Sequence, residues 1–124
     1  MKHFLAGLCA LIALDVSACG ICIDDKIASC YDHAVVTGAK AKGHGVAFFA
    51  IKGEIVVKPE TQRALLKAIE ALPGAVRGTG RVSLENGALS FAFDPSRTSA
   101  EAAQRELRLK LQSRRLAVAH LRTL

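Results

Sequence analysis

Four residues near the start of the chain carry donor atoms for soft-metal chemistry: Cys19, Cys22, Cys30 and His33. They form two x-x-separated pairs, Cys19-Gly20-Ile21-Cys22 and Cys30-Tyr31-Asp32-His33, within fifteen residues. Three cysteines and one histidine are an accepted tetrahedral set for zinc, and thiolates also suit Cu(I). Seven residues separate the pairs, fewer than zinc modules usually place there. Helical geometry adds a constraint, because Cys22 and Cys30 lie about 12 Å apart along the axis if 22–34 is helical. A four-ligand site then requires the helix to start late or to bend. A two-ligand site on Cys19 and Cys22, aided by His44, is easier to build.

Each donor also has a purely structural explanation. Cys30 falls on an apolar stripe, where free cysteine usually serves as a small buried hydrophobe. His33 reads sooner as a surface or capping residue than as a ligand, and His44, between two glycines, as a loop residue. Cys19 and Cys22 could join in a disulfide in an oxidising compartment. A thioredoxin-type redox pair is the weaker alternative, since no βαβ pattern surrounds it.

The compartment is read from the first eighteen residues. Met1-Lys2-His3 is cationic, Phe4 to Leu14 is an uncharged apolar run of eleven, and Val16-Ser17-Ala18 leads into Cys19. That is the layout of a secretory signal, and the run is too short to span the roughly 30 Å of a bilayer core as a helix. Val16-Ser17-Ala18-Cys19 also reads as a lipobox, in which Cys19 becomes a lipid-bearing thioether unable to ligate a metal. Simple cleavage after Ala18 fits the same residues, so lipid attachment and cleavage both stand. The expected location is the periplasm, with any membrane contact made through a lipid anchor alone. Loss of 1–18 removes Lys2 and Asp15 and keeps the net charge at +6. The bases are scattered, with Arg114-Arg115 the only adjacent pair in the mature chain, which suits a solvated surface.

The elements that must position these residues begin with a helix over Cys22–Val36. Ile23, Ile27, Cys30 and Ala34 recur at helical spacing, and a linker between Gly38 and Gly43 follows. This helix is expected to dock onto the rest of the chain. Val46 to Ile51 has the length and composition of a strand. Pro59 opens a helix with Leu65, Leu66, Ile69 and Leu72 along one face, and Pro73-Gly74 ends it. Arg81 to Leu84 and Leu89 to Phe93 form two strands joined through Asn86-Gly87, which predicts a type I′ hairpin. Leu89, Phe91 and Phe93 share a bulky face opposite Ala88, Ser90 and Ala92. Thr98-Ser99-Ala100-Glu101 has the spacing of a capping box, ahead of a stripe at Ala100, Ala103, Leu107 and Leu111. Leu116 to Leu124 is the last strand. The order β-α-β-β-α-β predicts an α+β, ferredoxin-like sandwich over 44–124, with two helices on one sheet face. The cysteine-bearing helix and linker at 19–43 lie outside that motif.

Ala71-Leu72-Pro73-Gly74-Ala75-Val76, the Leu89–Pro95 strand and the helix starting near Thr98 resemble a heavy-metal-associated domain over residues 46–122. The resemblance implies the ferredoxin-like architecture and, in that family, carriage of a soft metal such as copper. The family's Cys-x-x-Cys pair lies between its first strand and first helix. Aligned on Gly53, those positions hold Val56 and Pro59, which ligate nothing.

Other classes find less support. RNA-recognition domains share the element order and carry aromatics on the first and third strands. Here Phe48, Phe49, Phe91 and Phe93 lie on those strands, but the accompanying basic residue and third aromatic are missing, so core packing is expected and no nucleic-acid partner. The chain carries no nucleophile elbow, phosphate loop or His-Glu-x-x-His, and Glu60, Glu70 and Glu101 fit helix ends and solvated faces. The expectation is a non-enzymatic exported binding protein that takes Cu or Zn through its N-terminal thiols. The alternative is an interaction module or lipoprotein whose partner is another exported protein.

Overall fold

The computed structural model describes residues 23–124. Strand β1 (Gly45–Gly53) is buried from Val46 through Ile51, so both faces of that strand meet other layers. It is a central strand. The remaining elements are α1 (23–29), α2 (His33–Ala41), α3 (Pro59–Glu70), β2 (Arg81–Ser83), β3 (Ala88–Phe93), α4 (Ala100–Leu111) and β4 (Leu116–Thr123). A 3₁₀ turn at Gln112–Arg114 joins α4 to β4. The antiparallel sheet runs β2-β3-β1-β4, and with β1-α3-β2-β3-α4-β4 in sequence this is the ferredoxin-like arrangement.

Side-chain alternation divides the molecule into two cores. On the first face Ala47, Phe49 and Ile51 join Leu89, Phe91, Phe93, Leu116 and Val118 against the stripes of α3 and α4. Those stripes are Leu65 and Ile69 on one helix and Ala103, Leu107 and Leu111 on the other, as the periodicity predicts. The Phe49 and Phe91 rings stack with centroids 5.5 Å apart. On the second face Val46, Phe48, Ala88 and Ala92 pack against Ile27, Cys30, Val36 and Ala39. The expected docking of the N-terminal helix is therefore present. All four strand phenylalanines are core residues.

The structure corrects several local readings. The single helix expected over 22–36 is broken at Cys30–Asp32. Asp32 turns away from helical geometry, and its carboxylate accepts from the N–H of Ala34 (2.9 Å) and Val35 (3.3 Å), so it starts α2 as an N-cap. Ala34 is consequently exposed, and the second helix buries Val36 and Ala39 instead. The proposed linker is largely helix. It ends in a Schellman turn, with the His44 N–H bonded to Ala39 O (2.8 Å), the Gly43 N–H to Lys40 O (3.2 Å), and Gly43 left-handed at φ 71°. The β2–β3 hairpin is not type I′, because only Gly87 has positive φ. The turn closes from the Gly87 N–H to Leu84 O (3.2 Å), with Gly87 as its left-handed last residue. The cap of α4 is Ser99, which accepts from Ala102 N–H (3.1 Å), rather than Thr98. A bulge between Phe48 and Phe49 in the β1–β4 pairing was not foreseen.

Candidate functional site

Cys19, the alternative lipid-attachment position, and Cys22 lie outside the described residues, as does the expected signal segment 1–18. Of the expected ligands, the structure describes Cys30, His33 and His44.

Cys30 closes the turn after α1, 4% exposed within the second core. Its thiol donates to Lys26 O at 3.4 Å and lies 3.8 Å from Ile27 O. Its own carbonyl accepts from Ser90 Oγ at 2.8 Å. Burial pushes the thiol's pKa up, against smaller opposing effects of the Ser90 and Ser29 hydroxyls. At neutral pH the sulfur is therefore a protonated, enclosed S–H rather than a thiolate. His33 is exposed at the first position of α2, with Nδ1 3.4 Å from the Tyr31 hydroxyl. His44 sits half-buried just before β1. Nine residues of strand separate it from the far end of β1, about 30 Å away. Among the described residues, no group of three or more His, Cys, Asp or Glu side chains is placed to hold a metal ion.

The β1–α3 loop, where the resembled family keeps its thiols, has different chemistry here. Val56 and Val57 are 52% and 56% exposed, and Pro59 opens α3. These residues do not fit a metal ion. Ile55 turns inward and packs against the first core.

The layer formed by α1 and α2 is held to the sheet by polar contacts as well as by packing. Asp24 pairs with Arg122 of β4 at 3.5 Å, and Asp32 pairs with Arg81 of β2 at 2.9 Å. Hence the segment from α1 into α2 crosses the second face from one sheet edge to the other. Between these contacts, Lys26 Nζ donates to Asn86 O at 2.6 Å, in the β2–β3 turn. A Cβ placed on Gly87 would lie 3.2 Å from Lys26 Nζ and 3.3 Å from Ile55 Cδ1, so these groups converge. The Lys26 side chain, midway along α1, thus reaches the end of the sheet that carries the β1–α3 loop, while Asp24 turns to Arg122, level with Phe48 of β1. Hydrogen bonding from Arg81 chiefly holds the Asp32 carboxyl below its ordinary pKa, helped by the Val35 and Ala34 amides.

Two residues that tie this layer together, Asp32 within it and Ser90 on β3, were not singled out from the sequence. Asp32, one residue ahead of a helix, carries a recognisable cap signature, but the stripe through Cys30 and Ala34 masks it. Ser90 lies between two bulky residues on the small face of β3, which marks the one polar side chain available there to meet a covering helix.

No protein-family model and no curated protein matches the chain. Among solved structures it is similar to one described as CopZ metallochaperone. The identity is 18% and the TM-score 0.46, over 60% of this chain and 98% of that one. The ferredoxin-like assignment rests on the chain's own strand order.

Proposed function

We propose that this protein is an exported, non-enzymatic binding module that holds a soft cation between the thiolates of Cys19 and Cys22. The observation that carries this reading is the fixed docking of α1, whose Lys26 reaches Asn86, Gly87 and the Ile55 side of the β1–α3 loop. The Cys-x-x-Cys segment joins the fold immediately ahead of α1. In this reading the donors come from a different stretch of chain than in a heavy-metal-associated domain. Cys30 stays in the core as a neutral thiol, and His33 and His44 take no part. Two thiolates without a histidine suit Cu(I) better than zinc, which takes four ligands in structural sites.

A second reading, an interaction module or lipoprotein without a metal, draws on the exposed Val56 and Val57 where the family carries sulfur. Its partner is another exported protein. Intact mass of the protein isolated from expressing cells separates the two, since a diacyl or triacyl addition on Cys19 removes one of the thiolates. For the metal reading, titration of Cu(I) against a chromophoric chelator is expected to load wild type with a single ion per chain. Cys22→Ser is expected to load none. Equal loading of both proteins contradicts the proposal.

A further inference from the structure

Beside the second core, α2 and the loop before β2 enclose a cleft of about 260 Å³. Its floor is apolar, made by the buried Ala39 and Ala92 with Val76 beside them. Its rim carries three basic side chains, Lys42, His44 and Arg77. None of the three is in a salt bridge with an acid among the described residues. Asp94 acts electrostatically on the His44 side, but its carboxylate already accepts from the Ser96 backbone (2.9 Å) and hydroxyl (2.7 Å). The neutral polar group in the cleft is also engaged, because Thr79 Oγ1 donates to Val76 O (2.6 Å) and accepts from the Ala92 N–H (3.0 Å). Recognition is left to an apolar floor and a positive rim.

Gly38 supplies a second, independent observation. It lines the same cleft from inside α2, with a φ that any residue adopts, and a Cβ built there meets nothing within 4 Å. Glycine is the poorest helix former after proline, and no steric requirement accounts for it at this position. What its missing side chain does is keep the cleft open.

We propose that this cleft binds a small amphipathic carboxylate, with its apolar tail against Ala39, Val76 and Ala92 and its charge at Lys42, His44 and Arg77. Charge complementarity selects the anion, and the apolar floor separates such a ligand from a simple inorganic ion. The site is distinct from the proposed thiol site: His44 stands at the opposite end of β1 from the loop that Lys26 approaches.

The test is amide NMR of the full chain titrated with octanoate below its micelle concentration, with octanol and inorganic phosphate as tail-only and charge-only controls. Saturable shifts are expected in the amides of 38–44, 76–79 and 92 with octanoate, and not with either control. Gly38→Leu places a side chain in the open space and favours the helix, so it should remain folded while affinity falls by at least about tenfold. Arg77→Gln should weaken binding by roughly tenfold as well. The proposal is overturned by the absence of saturable shifts in wild type, by equal binding of octanol or phosphate, or by undiminished octanoate binding in folded Gly38→Leu.

Discussion

The two faces of the sheet are covered in chemically different ways. Across the first, large side chains of the sheet (Phe49, Phe91, Leu89) meet Leu65 and Leu107 of the two twelve-residue helices that cover it. Across the second, Phe48 and Val46 of the sheet and Ile27 and Val36 of the covering layer pack with the smaller Ala88, Ala92, Ala39 and Cys30, beneath two shorter helices. Apolar burial dominates the first. Packing on the second is supplemented by Asp32–Arg81, Asp24–Arg122, Lys26 to Asn86 O and Ser90 to Cys30 O. Exposed ion pairs contribute little to stability, so the difference in buried apolar area decides which layer is weaker. The N-terminal layer should be the first to open, and both sites proposed above border it or lie within it.

Truncation tests the difference most strongly. Leu107→Ala empties a fully buried position in the first core and is expected to cost about 3 kcal/mol in urea-induced unfolding. Ile27→Ala on the second face is expected to cost about 2 kcal/mol, with faster amide exchange confined to 25–41. Equal global destabilisation, with exchange rising evenly through both layers, would show that the two faces open as one unit.

A smaller effect comes from acid. The folded-state pKa of Asp32 is lowered from 3.8, so its stabilising contribution is present above that value and is lost as pH falls through the depressed one. Tryptophan fluorescence is no use here, since the chain has none, but near-neutral and acid exchange maps can be compared directly. Acid is expected to loosen 30–41 before the first core, and Asp32→Asn to remove that step, because asparagine still caps α2 but does not titrate. An unchanged acid response in Asp32→Asn would assign the sensitivity to another carboxylate.

The ferredoxin-like portion was legible because each of its elements has one dominant pattern. Leu89, Phe91 and Phe93 alternate without interruption, and Ala100, Ala103, Leu107 and Leu111 keep a single helical stripe. The second face was harder to read. Ile27 belongs to one helix and Cys30 to the turn that ends it, while Val36 and Ala39 belong to another helix, and the spacing across Asp32 mimics one continuous stripe. Here a side-chain cap outweighed periodicity. The same competition explains the Asn86-Gly87 turn, where a longer loop leaves Asn86 at negative φ. Cys30 could be read as either ligand or core. Only the packing of α1 against Ser90 and Phe48 shows it enclosed. The cleft beside Gly38 was not legible at all, since it is assembled from α2, the loop before β2 and β3.

The thiol proposal is tested most directly by hydrogen exchange with and without one equivalent of Cu(I), on wild type and Cys22→Ser. The expected result is slower exchange in 23–30 on metal addition to wild type and no change in the variant. Protection appearing equally in both proteins, or only around Val56 to Pro59, would contradict a cation held just ahead of α1.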